Sequence, residues 1–265
     1  MRLLALCSLR WVKQERDGVG YIVNGSIPSR HESSMRLDKS VLAAFPAFAG
    51  FSGEQLDDIV DQAHALRFAK NAHVFEQGGE ATSFFLLLDG RIRAYKVSPA
   101  GEQIVIRFVG PGEMFGVANA IGSAVYPANA LAVVDSVALA WPSRAWAEMS
   151  TEYPTLAVGM MRMLGRQLQE SQERLAEISN QEVERRVANM LLRLAAQGGR
   201  KEDNGIGFDF PISRQDIAEM TGTTLFTVSR ILTAWEATGL VATGRQKIVI
   251  RDPHRLTVLA AGALA

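Results

Sequence analysis

The chain has 265 residues, 48% of them apolar and 21% charged, with 28 Lys/Arg balanced by 28 Asp/Glu. That is ordinary globular composition with room for two modest domains. One cysteine, Cys7, is present, which excludes a disulfide framework, a Cys-rich zinc site and a four-thiolate iron–sulfur cluster held by one chain.

Residues 1–34 are broken at every candidate element by Gly18, Gly20, Gly25, Pro28 and the Ser33-Ser34 pair. They read as an extension outside the fold, either an arm or residues upstream of a true start at Met35. Met1 to Cys7 has a superficial signal-peptide look, but its apolar core stops at Arg10 and no small residue precedes Cys7. No apolar run approaches the roughly 20 residues a bilayer demands. The expectation is a cytoplasmic protein with no membrane partner.

Between Leu42 and Leu66 the pattern predicts two short helices, with Ser52 capping the stretch Glu54–Ala65. Short apolar or alternating runs follow at Val74–Glu76, Ser83–Leu88, Arg91–Val97, Gln103–Val109, Ala130–Val134 and Val137–Trp141. Gly78-Gly79, Asp89-Gly90, Pro99-Ala100-Gly101, Pro111-Gly112 and Asp135-Ser136 separate them. Such spacing predicts an antiparallel β-roll or jelly roll over residues 35–153. Arg91, Arg93 and Lys96 on its hairpin read as a solvated face, and Trp141, Trp146 and Trp235 as core.

A long helix is predicted over residues 154–179. Met161, Leu164, Leu168, Ser171, Leu175 and Ile178 recur at alternating three- and four-residue steps, an a/d seam suited to a parallel homodimer. A next helix, Glu182 to Ala196, opens a C-terminal domain over residues 180–265, giving an α+β chain overall.

Ser213 to Leu232 reads as a helix-turn-helix. Ser213 caps a short helix with Ile217, Ala218 and Met220 inward, Gly222 permits the turn, and Thr223 or Thr224 caps a second helix. Val228, Ile231, Leu232 and Trp235 form its buried stripe. The opposite face shows Leu225, Phe226, Thr227, Ser229 and Arg230. Arg230 can grip guanine O6 and N7, Phe226 can touch only something apolar such as a thymine methyl, and the hydroxyls suit phosphates or base edges. Thr243 to Lys247 then turns into the strand Ile248–Ile250, a basic wing. Ser213, Arg214, Gln215, Arg245 and Lys247 are candidate phosphate contacts, with Thr224 helping to position the helix. Bulk charge adds little: residues 180–265 hold 11 Lys/Arg against 9 Asp/Glu, and the remainder 17 against 19. The reading of double-stranded DNA rests on the motif. The competing reading is a ligand-binding or scaffold protein whose winged domain contacts protein.

β-roll, dimer helix and winged helix in this order resemble the Crp/Fnr family of bacterial transcription regulators. Phe75 to Glu80, Phe85 to Ile92, Gly110 to Gly116 and Thr227 to Leu232 carry the resemblance, and it spans residues 38–258. It implies a homodimer on a palindromic, TTG-like site, an effector within the roll and RNA polymerase as a partner. The wording from Thr223 to Arg230 is similar to the branch responding to nitrogen oxides. Departures matter equally. Where cyclic-AMP-binding members hold ribose with Gly-Glu and phosphate with Arg-Ser, this chain has Gly116-Val117 and Pro127-Ala128, so cyclic AMP is not expected. The expected effector pocket is Phe115, Gly116, Val117, Pro127, Ala128 and Ser171.

His31, His64, His73 and His254 lie outside chelate spacing of one another, so no metal site is expected. His64 and His73, flanking the first predicted strand, are candidate haem ligands, with solvent-facing histidines as the plainer alternative. No nucleophile–base constellation, P-loop or dinucleotide fingerprint occurs, and the chain is expected not to be an enzyme.

Overall fold

The computed structural model describes residues 50–262 and, before them, positions 42, 43, 45 and 48. The predicted extension over residues 1–34, Met35, Cys7 and His31 lie outside the described residues.

Ser52 opens helix α1 (Gly53–Asp61) with a reciprocal capping box. Its hydroxyl accepts from the Gln55 N–H, and the Gln55 side chain accepts from the Ser52 N–H at 2.9 Å. The cap falls where the sequence predicts it, but the helix stops four residues early. His64–Phe68 instead forms strand β1, paired antiparallel with β8 (Ser136–Pro142).

Between them run β2 (His73–Phe75), β3 (Ser83–Asp89), β4 (Ile92–Val97), β5 (Gln103–Val109), β6 (Met114–Phe115) and β7 (Asn129–Ala132). They form two four-stranded antiparallel sheets, β1-β8-β3-β6 and β2-β7-β4-β5. Strand β3 alternates between two cores. Phe85 and Leu87 face the inside of the roll with Phe115, Tyr126 and Ile92. Phe84 and Leu86 face the helical side with Trp141, Met149, Leu156 and Met160. Burial on both faces explains its unbroken apolar run. Trp141 adds a bond from its indole N–H to the Ile59 carbonyl at 2.8 Å.

Helix α2 (Ala145–Glu152), absent from the sequence reading, leads into α3 (Pro154–Asn180), whose proline occupies the first turn. Only Leu156 and Met160 of α3 are fully buried, both near its start. Next come α4 (Val183–Gly198), β9 (Gly199–Glu202), β10 (Gly205–Phe208), α5 (Arg214–Thr221), α6 (Leu225–Ala237), β11 (Val241–Gly244), β12 (Lys247–Ile250) and α7 (Pro253–Ala261). The four strands form a third sheet, β11-β12-β10-β9. Val187, Leu191, Leu194, Ile217, Val228, Leu232 and Trp235 make its core with Ile248, Ile250 and Leu256. That core does not end at the lobe boundary, because Tyr95, Val105 and Phe108 of the β-roll belong to it.

Candidate nucleic-acid interface

Local chemistry builds the helix-turn-helix. Ser213 accepts from the Asp216 N–H at 3.0 Å, and its own N–H and hydroxyl donate to the Asp216 carboxylate at 2.9 and 2.6 Å. Gly222, at φ 62, ends α5 in the left-handed region that suits glycine. Thr224 then caps α6, accepting from the Thr227 N–H at 3.2 Å. Val228, Ile231, Leu232 and Trp235 face inward. Leu225 is 48% and Phe226 77% exposed; Arg230 is exposed, Thr227 and Ser229 half-buried.

A polar relay ties this unit to the wing. The Gln246 carbonyl accepts from the Ile212 N–H at 3.1 Å, which sets the wing turn beside the entry to α5. Arg214 donates to the Thr243 hydroxyl at 3.2 Å. The Thr243 N–H and hydroxyl donate to Glu236 at 2.9 and 3.0 Å, and these bonds hold the Glu236 carboxyl below its usual value. The candidate phosphate contacts are unequal. Lys247 is paired with Glu202 at 3.2 Å and Gln215 bonds Glu219 at 2.9 Å, while Arg245 is exposed at the wing tip.

On α3, Met161 (64% exposed), Leu168 (61%), Leu175 (65%) and Ile178 (46%) leave an apolar stripe open to solvent. Two seam members depart from it. Leu164 is half-buried against the β-roll, and Ser171, also half-buried, donates to the Gln167 carbonyl at 2.9 Å.

The expected effector pocket does not assemble. Phe115 lies inside the roll in an aromatic stack with Phe75, Phe85 and Tyr126; the Phe75 and Tyr126 rings are 3.9 Å apart and Phe85–Phe115 5.1 Å. Tyr126 is locked there, its hydroxyl donating to the Ser83 carbonyl at 2.7 Å and accepting from the Ser83 N–H at 3.1 Å. Burial pushes its phenol pKa up. Gly116, at φ 68, makes room for the stack: a Cβ there would sit 2.9 Å from both Phe75 and Phe85. Val117 packs with the other core, beside Phe84 and Trp146. Pro127 is exposed, and Ala128 is buried without a polar side chain to offer. Beside Gly116 the inside of the roll is therefore filled by stacked rings. Phe75 enters the sequence motifs only as the start of the Phe75 to Glu80 turn and Tyr126 not at all, because ring stacking across 51 residues leaves no local signature.

The histidines do not fit haem either. His64 stands exposed on β1 at the edge of one sheet and His73 on β2 at the edge of the other. His73 has Glu76 at 3.4 Å and the Tyr95 hydroxyl at 3.5 Å. The positions of the two histidines on separate sheet edges match the plainer alternative of solvent-facing side chains. Among the described residues no helix is long and apolar enough to cross a membrane.

The hairpin residues Arg91 and Arg93, expected on a solvated face, are not solvated. Arg91 is 3% exposed, and Arg93 pairs with Asp216 at 2.7 Å in the first turn of α5.

Residues 65–153 match the model of the cyclic nucleotide-binding domain, and residues 185–259 that of the Crp-like helix-turn-helix domain. A roll of the first kind joined to a winged helix of the second defines a class, the DNA-binding transcription regulators. The transcriptional activator protein FnrA of Stutzerimonas stutzeri is 28% identical over 211 residues, which cover 80% of this chain and 85% of that protein. The cyclic AMP receptor protein of Thermus thermophilus is 28% identical over 217 residues, covering 82% and 97%. The crystal structure of another CRP-family regulator from Thermus thermophilus superposes with TM-score 0.64 at 28% identity, covering 75% of this chain and 98% of that one. The chain belongs to the Crp/Fnr family and is a transcription regulator with a helix-turn-helix DNA-binding domain, not an enzyme.

Proposed function

We propose that the protein acts as a homodimer on a two-fold symmetric DNA site. Residues 180–265 read the DNA, residues 154–179 pair the subunits, and residues 35–153 form the regulatory roll. The observation that carries this reading is the outer face of α6, where Phe226 and Arg230 project into solvent from a helix capped and buried on its other side. Arg230 reads guanine through its paired donors, Phe226 meets a thymine methyl, and Thr224, Leu225, Thr227 and Ser229 set the helix in the groove. Ser213, Arg214, Gln215, Arg245 and Lys247 meet phosphate, which for Ser213, Arg214, Gln215 and Lys247 means exchanging an internal partner for the backbone. The exposed stripe on α3 supplies the dimer contact, and two-fold symmetry then sets half-site centres about 10–11 bp apart. Cyclic AMP is not the effector, since Val117 offers no acceptor for the ribose and Pro127-Ala128 supplies neither charge nor side-chain donor for the phosphate. RNA polymerase is the implied protein partner at the promoter.

Selection of bound duplexes from a random pool by the full-length protein tests this. A two-fold motif containing TTG-like half-sites at that spacing is expected. Enrichment of no motif, or of a single half-site alone, contradicts it. The exposed Leu225-Phe226 tip would also suit an apolar protein partner. Binding that ignores added salt would favour that second reading, because phosphate contacts release counterions.

A further inference from the structure

Arg91, Arg93 and Phe108, on and beside the β4–β5 hairpin, reach from the regulatory roll into the winged domain. Arg91 threads between two glycines: a Cβ on Gly110 would lie 2.6 Å, and one on Gly198 2.5 Å, from its guanidinium. There it meets Asp209 at 2.9 Å and lies 4.2 Å over the Phe210 ring. Arg93, lying 4.7 Å over the Tyr95 ring, reaches Asp216 at 2.7 Å. Asp216 is the residue whose carboxylate also closes the Ser213 cap. Phe108 packs on Phe210 with ring centroids 5.0 Å apart. The Nε atoms of Arg91 and Arg93 are buried without a bond partner. Such pairs are a poor way to gain stability, since desolvation offsets their attraction, but separating the two lobes would leave each buried charge without its partner.

We propose that the β4–β5 hairpin is a latch that holds the winged domain in its DNA-reading orientation, so that this chain reaches that orientation with no ligand inside the roll. The inference rests on the DNA-reading proposal above. Two observations give its sign. The outer face of α6 is free while the latch is closed. The roll, whose filling would otherwise reset the latch, is already packed by its own rings. The turn before α6 is braced as well, with Gly222 lying against Ile178 at the end of the α3 stripe. Arg91 and Arg93 are positioning residues in this scheme and touch no DNA.

The test uses full-length protein purified without added small molecules and a duplex it has selected from a random pool. Wild type should bind that duplex unaided, and added cyclic AMP or cyclic GMP should leave affinity unchanged. Arg91→Gln and Arg93→Gln should each weaken it about tenfold, as expected when part of a buried pair's energy is transmitted, while affinity for random duplex stays within about twofold of wild type. Arg93→Lys should recover part of the loss. Gly198→Ala, which deletes no charge but displaces Arg91, should copy Arg91→Gln. Limited proteolysis at the junction between α3 and α4 gives a DNA-independent readout, and the latch variants should be cut faster there. Faster cutting with unchanged specific affinity would overturn the proposal. Tighter binding by the variants would make the latch inhibitory and overturn it too, as would a wild type that needs a cyclic nucleotide. If wild type enriches no duplex, the DNA-reading proposal itself fails and this inference falls with it.

Discussion

Shortening the α3 stripe at two positions should dissociate the proposed dimer without harming the protomer. Leu168 and Leu175 are 61% and 65% exposed, so each keeps well over half of its side chain for a partner. Burying a whole leucine is worth about 1.5–3 kcal/mol, so the remaining fraction is worth roughly 1–2 kcal/mol per side chain. Leu168→Ala with Leu175→Ala changes four side chains in a two-fold dimer, a loss of about 4–7 kcal/mol before the methyl each alanine retains is discounted. Taking about 4 kcal/mol, the dimer dissociation constant should rise about a thousandfold. Sedimentation equilibrium of the double variant checks the constant, and far-UV circular dichroism checks that the protomer stays folded. A dissociation constant within about threefold of wild type, with the fold intact, would refute the seam.

Three further outcomes follow from single contacts. Gly90→Ala should lower the thermal midpoint of the roll markedly, because Gly90 sits at φ 95 and its Cβ would fall 2.3 Å from the Ser136 hydroxyl and 2.6 Å from the Ser136 Cα; an unchanged midpoint in calorimetry would contradict this. Trp141→Phe removes the 2.8 Å bond to the Ile59 carbonyl and leaves that buried oxygen unpaired, so chemical denaturation should show a loss of about 1–3 kcal/mol. The bond from the Thr243 N–H to Glu236 should be pH-dependent. Because the folded pKa of Glu236 is lowered, first by the Thr243 backbone bond, the link is present above the ordinary carboxylate range and lost as pH falls through the lowered value. Hydrogen exchange at the Thr243 amide should therefore lose protection on acidification in wild type but not in Glu236→Gln.

What the sequence made legible was local. Ser52, Ser213, Gly222 and Thr224 each cap or break a helix through bonds within four residues, and all act where the letters place them. Strand β1 was missed because His64-Ala65-Leu66 continues a helical pattern as readily as a strand, and only pairing with Ala140-Leu139-Ala138 decides it. The β9–β10 hairpin was missed although Asp203-Asn204-Gly205 carries a turn signal; its two-residue loop is Asp203-Asn204, and Gly205, at φ 140, opens β10 opposite Glu202. The aromatic filling and the latch were not readable. Arg91 and Arg93 look like any exposed strand charges until residues 118 and 123 positions away supply Asp209 and Asp216. The effector pocket failed for a related reason: the motif around Gly116 marks the turn, but Phe75, distant in sequence, decides whether the space beyond it is empty.

One measurement bears on the central claim most directly: anisotropy titration of wild type and Arg230→Ala against the selected duplex and a scrambled one, at low and moderate salt. Wild type should prefer the selected duplex and weaken steeply with salt. Arg230→Ala should lose about 1–3 kcal/mol on the selected duplex and almost nothing on the scrambled one. Equal losses on both sequences would make Arg230 a phosphate contact, and binding indifferent to salt and sequence would contradict DNA reading by α6 altogether.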